Sequence, residues 1–177
     1  MQIILVRHAE VVKEYKHKYN GHIDIPLSLK GKQQAKNLAL KLQNINFDKI
    51  YCSDLKRAKE TLHIFNLKKE TIYTQELREK SWGIHEGKSF EEIEESGIQY
   101  SNFNQWINDL DGENLQFYIQ RVEKYFKTTV FQQNVQSILV VTHAGVIKTL
   151  LSILNNISLE EAFSIELPYS SYISLNI

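Results

Sequence analysis

With 177 residues, 42% of them hydrophobic and 24% charged, the chain suits a single globular domain with one good core. Its 21 basic and 21 acidic side chains cancel, so no charge excess points to nucleic acid and no acidic run points to a disordered, solvating role. The lone cysteine, Cys52, excludes an intrachain disulfide and the cysteine-based zinc patterns.

The chain opens with the aliphatic run Gln2-Ile3-Ile4-Leu5-Val6, typical of a strand buried on both faces. That run stops at Arg7 and His8, too short for a signal peptide or a spanning segment. A cytoplasmic protein with no membrane partner is therefore expected. Pro26-Leu27-Ser28 opens a helix, with Ser28 as cap and Ala35, Leu38, Ala39 and Leu42 at helical spacing. A second strand is predicted over residues 49–52, placing Cys52 in the interior, followed by a helix capped by Ser53 or Asp54 and ending near residue 65. A short third strand falls at 71–73. Between 76 and 112 the pattern loosens into a cap-like insertion with short helices near 90–95 and 103–110. A long amphipathic helix covers about 113–131. The strand at 137–142 and a helix at 144–154 follow. Residues 163–167 and 171–177 read as two strands joined at Pro168-Tyr169-Ser170, which makes at least one C-terminal strand antiparallel. The alternation of strands and helices predicts an α/β fold in one domain spanning 1–177.

One local design occurs twice. Ile4-Leu5-Val6 leads into Arg7-His8-Ala9, and Leu139-Val140-Val141-Thr142 leads into His143-Ala144-Gly145. Ligands of open α/β sheets bind beyond the carboxyl ends of strands, where both histidines would sit. Neither has a second histidine or a carboxylate at the usual i+4 ligand spacing, so no metal is expected.

Arg7-His8-Ala9-Glu10 resembles the signature of the histidine phosphatase (phosphoglycerate mutase-like) superfamily, in which Arg-His-Gly follows the first strand. Four further segments are similar to that family in the same order. They are Asn20-Gly21 through Gln34-Ala35; Ser53-Asp54-Leu55-Lys56-Arg57-Ala58 with Thr61; Leu77-Arg78-Glu79 with Trp82-Gly83 and Glu86-Gly87; and Thr142-His143-Ala144-Gly145. The resemblance implies a three-layer α/β/α fold with a mostly parallel sheet and an antiparallel C-terminal strand. It also implies a nucleophilic His8, phosphate binding by Arg7, Arg57 and His143, and Glu79 as proton donor.

The chemistry suits these residue types. A phosphate dianion needs planar guanidinium donors, and the nucleophilic imidazole must be neutral at its attacking nitrogen. The leaving alkoxide needs an acid, which a carboxyl group supplies. Relatives commonly carry an asparagine a few residues after the position of Glu10. Here that stretch reads Val11-Val12-Lys13-Glu14-Tyr15, so Asn20 is the candidate replacement. Gly21, His22, Arg78 and Ala144 are further candidates for substrate contact, while Arg121 is assigned to surface structure. Trp82, Tyr100, Phe103 and Trp106 either cap a substrate's organic part or pack the short helices.

The resemblance implies no cofactor, a small-molecule phosphate ester as partner, and a monomer or homodimer. Among phosphatases the pattern is most similar to α-ribazole and broad-specificity phosphatases. The alternatives are a phosphoglycerate mutase-type phosphotransferase and a non-catalytic phosphate-binding regulatory protein. A Rossmann-like nucleotide-binding enzyme would need a glycine-rich turn after the first strand, and Arg7-His8-Ala9-Glu10 offers none.

Overall fold

The computed structural model describes residues 1–177. Its strands are β1 (Gln2–Arg7), β2 (Lys49–Ser53), β3 (Thr71–Thr74), β4 (Ser137–Thr142) and β5 (Tyr172–Asn176). They form one sheet in the order β3-β2-β4-β1-β5, parallel except for the antiparallel pairing of β5 with β1. Side chains alternate across a strand, and both faces are covered. Ile3 and Leu5 join Tyr51, Ile138 and Val140 in one core. Ile4 and Val6 join Ile50, Cys52, Leu139 and Val141 in the other. Helices α1 (Leu29–Leu42) and α2 (Lys56–Ile64) close the second core through Leu38, Leu42, Ala58 and Leu62.

The first core draws on four more helices: α3 (Phe90–Glu94), α4 (Phe103–Asp109), α5 (Leu115–Tyr125) and α6 (Ala144–Asn155). Ile93, Trp106, Ile107 and Leu110, from the 76–112 segment, pack in the same cluster as Ile3 and Leu5 of the sheet. This segment thus shares the sheet's core. Each fully buried aliphatic side chain contributes about 1.5–3 kcal/mol.

Local chemistry explains most boundaries. The Ser28 hydroxyl accepts from the Gly31 N–H at 2.9 Å, as the sequence predicts for the start of α1. The start of α2 differs from expectation: Leu55 is its N-cap, with no side-chain cap. Arg78 occupies Asp54, and the Ser53 hydroxyl lies against His143. Helix α5 is shorter than expected, because a turn of π-helix over Phe126–Val130 completes the segment.

The predicted strand at 163–167 is absent. Helix α7 (Leu159–Ser164) takes its first half, started by a reciprocal capping box between Ser158 and Glu161. The remaining residues run as irregular chain into β5, so no C-terminal hairpin forms. The alternating Phe163, Ile165 and Leu167 imitate a strand, and the Ser158-x-x-Glu161 signal outweighs them.

Candidate active site

The β1–β4 register pairs Arg7 with Thr142 and leaves both strand ends level. His8 and His143 therefore emerge side by side, ring centroids 5.1 Å apart. His8 Nδ1 lies 2.8 Å from the Ala9 carbonyl oxygen. A carbonyl only accepts, so Nδ1 carries the proton and Nε2 keeps its lone pair. Burial, with the positive charges of Arg57 and Arg7 adding to it, holds His8 well below the usual histidine range. The ring is neutral, with a fixed tautomer that leaves Nε2 unprotonated.

His143 is held at both nitrogens. Arg57 Nε donates to its Nδ1 at 3.2 Å, so Nε2 bears the proton, which it donates to the Ser53 hydroxyl at 2.8 Å. Burial, then Arg57, pushes its pKa well below the usual value.

Arg57 is completely buried on α2. Its Nη1 donates to the Ile23 carbonyl at 2.9 Å, and its Nη2 to those of Asn20 and Gly21 at 3.0 and 2.7 Å. Burial pulls its pKa down to about 10, which still leaves it charged at neutral pH. Arg7 lies with its guanidinium 4.0 Å from the centroid of the Tyr169 ring. It donates to the Leu167 carbonyl, while its buried Nε has no partner. Neither arginine belongs to any of the six ion pairs of the structure. A buried or half-buried cation with no carboxylate in direct contact is costly, so the pair favours an incoming anion.

Arg7 and His8 open on a cavity of about 230 Å³, lined also by Asn20, Glu79, Ala144 and Lys148, while the fully buried Arg57 and His143 do not line it. A second, wholly hydrophobic cleft of about 350 Å³ shares Tyr19, Trp82 and Phe163 with it and continues over Phe90, Tyr100, Phe103, Trp106 and Ile107. The four aromatics singled out in the sequence therefore line one cleft and also pack together: the Tyr100 and Trp106 ring centroids are 4.7 Å apart.

Glu79 is gripped by donors from three elements. Its Oε1 accepts from the Lys80 N–H at 3.0 Å and the Tyr118 hydroxyl at 2.9 Å. Its Oε2 accepts from the Gly145 N–H at 2.8 Å, in the first turn of α6. A Cβ at Gly145 would lie 2.1 Å from Glu79 Oε1, so any larger residue would push the carboxyl out of this position.

The loop at 20–23 is bracketed by opposite charges. Arg57 collects its carbonyls, and Glu86 collects the N–H groups of Gly21, His22 and Ile23 at 2.7–3.1 Å, plus that of Trp82 at 3.0 Å. Asn20 lines the cavity, with Nδ2 donating to the Tyr15 carbonyl and Oδ1 buried without a partner. Gly21 is tightly enclosed, a Cβ there falling 2.2 Å from the Lys80 carbonyl oxygen.

Of the four candidates for substrate contact only Ala144 lines the cavity; Gly21, His22 and Arg78 do not. His22 Nε2 lies 3.1 Å from the Glu79 carbonyl oxygen, and Arg78 makes a two-pronged pair with Asp54 at 2.6 and 2.7 Å. Arg121 is half-buried rather than free on the surface. It pairs with Glu113 at 2.8 Å and donates to the carbonyls of Glu76 and Arg78, bracing the segment that carries Glu79. Sequence reading missed Tyr118, Tyr169 and Lys148, and none has a local signal. Gly145, following His143-Ala144, was the one hint available.

The fold thus gathers a neutral histidine, two guanidinium groups outside any ion pair and a gripped carboxyl at the carboxyl ends of its central strands. Residues 3–177 match the model of the histidine phosphatase superfamily (branch 1), and the chain belongs to that family. It is 32% identical over 161 residues to the adenosylcobalamin/alpha-ribazole phosphatase of Escherichia coli, covering 86% of this chain and 78% of that one. Phosphoserine phosphatase 1 of Hydrogenobacter thermophilus is 31% identical over 180 residues, covering 97% and 84%. Among solved structures, the alpha-ribazole phosphatase of Shigella flexneri superposes with a TM-score of 0.86 at 28% identity, over 100% of this chain and 91% of that one. No helix is long and apolar enough to cross a membrane.

Proposed function

We propose that the protein is a metal-independent phosphomonoesterase working through a phosphohistidine at His8. The observation that carries this reading is the Nδ1 hydrogen bond to Ala9, which leaves a neutral Nε2 lone pair on a ring that lines the same cavity as Arg7, a guanidinium in no ion pair. Nε2 attacks phosphorus and the ester P–O bond breaks. The departing alkoxide takes a proton from Glu79. Water then attacks the phosphorus, Glu79 recovers a proton from it, and the P–N bond breaks to release inorganic phosphate and neutral His8.

Arg7 neutralises the phosphoryl oxygens directly. Arg57 adds charge from beneath and fixes His143, whose Nε2–H donates to a phosphoryl oxygen on exchanging Ser53 for it. Asn20 and Ala144, both lining the cavity, border the bound phosphoryl group. The substrate is a small phosphorylated metabolite with a flat apolar portion, which the adjoining aromatic cleft accommodates. α-Ribazole 5'-phosphate, the substrate type named for the Escherichia coli relative, fits that description.

The test is hydrolysis of p-nitrophenyl phosphate and α-ribazole phosphate in EDTA by wild type and His8→Ala. Wild-type turnover with both substrates, and none after the substitution in a protein of unchanged circular dichroism, is expected. Activity in the substituted protein, or loss of wild-type activity with EDTA, would overturn the mechanism.

A further inference from the structure

We propose that Tyr118 is a positioning residue that decides which oxygen of Glu79 carries the transferable proton, a role that rests on Glu79 being the acid proposed above. Each carboxylate oxygen has two lone pairs in the carboxyl plane. On Oε1 both are taken, by the Lys80 N–H and the Tyr118 hydroxyl. On Oε2 only one is taken, by the Gly145 N–H. The proton therefore resides on Oε2, and Tyr118 is the only side chain that enforces this choice.

Its position suits the task. Tyr118 is almost wholly buried on α5 and packed in the core shared with the sheet, so its ring cannot swing away from Glu79. Burial first, and then the Glu79 charge, raises the phenol well above its ordinary pKa, so it remains a donor. Arg121, 5.0 Å from the centroid of the same ring, also holds the carbonyls of Glu76 and Arg78. The phenol and the Glu79 segment are thus tied to one brace. Without the hydroxyl, a lone pair of Oε1 is free, and the proton divides between two oxygens of different orientation.

The test compares Tyr118→Phe, Glu79→Gln and the double variant on p-nitrophenyl phosphate, whose leaving group hardly needs protonation, and on an alkyl phosphate, whose leaving group does. The readout is kcat/KM, which reports transfer to His8. Tyr118→Phe keeps the ring and its packing. It should lower kcat/KM on the alkyl ester roughly 10-fold while changing the nitrophenyl ester less than about 2-fold. The double variant should match Glu79→Gln alone. A purely structural role would lower both esters alike. If Glu79→Gln is selective for the alkyl ester and Tyr118→Phe is not, the positioning role fails and the acid stands. If Glu79→Gln affects both esters equally, the acid assignment falls and the role of Tyr118 falls with it.

Discussion

Replacing Glu86 by alanine tests how the site is held together. The carboxylate accepts four backbone N–H groups, from Gly21, His22, Ile23 and Trp82, at 2.7–3.1 Å. Alanine leaves all four without that acceptor. Gly21 and Trp82 are buried, and the Lys80 carbonyl closes over Gly21, so water is poorly placed to replace the carboxylate there. A buried amide left without an acceptor costs about 1–3 kcal/mol, and the two half-buried ones cost less because water reaches them. The variant should therefore lose about 4 kcal/mol, a large part of the ~5–15 kcal/mol of a typical domain. In a chain of this length that lowers Tm by roughly 8–16 °C. Activity should fall with it, because Arg57 holds the carbonyls of the same loop. Urea unfolding followed by circular dichroism measures the loss. A change below about 1 kcal/mol would show that the amides find other acceptors, and would refute the clamp.

Two further outcomes are expected. His8 and His143 are held below the histidine range, mainly by burial, and His22 and His85 shift the same way. The unfolded chain binds these protons near pH 6.5 and the folded chain does not. Stability is therefore full above about 6.5 and falls below it by up to ~1.4 kcal/mol per pH unit for each histidine. Urea midpoints measured from pH 7.5 to 5.5 should show this slope, and His8→Asn should reduce it; a flat profile would contradict the buried neutral state. Gly145→Ala should leave Tm nearly unchanged yet lower kcat/KM on the order of 100-fold, because the new Cβ displaces only the end of the Glu79 side chain. Equal activity in this variant would mean that the carboxyl position is unimportant.

The sequence by itself determined what depends on local pattern. The unbroken aliphatic runs of β1 and β4 read as doubly covered strands, and Ser28 could be read as a cap. His8 and His143, each directly after such a run, fall at the carboxyl ends of strands on sequence grounds alone. The C-terminal region misled because alternation at Phe163, Ile165 and Leu167 also fits one turn of helix followed by extended chain, and length alone did not arbitrate. Only the tertiary structure decided how the site is wired. Tyr118, Glu79 and Gly145 are separated by dozens of residues, and their meeting depends on how α5 and α6 pack beside the sheet. The burial of Arg57 against three carbonyls, and the stacking of Tyr169 on Arg7, likewise depend on loops closing over a strand end. Strand and helix periods are written in neighbouring residues, whereas hydrogen bonds between distant loops arise only when the core has set their distance.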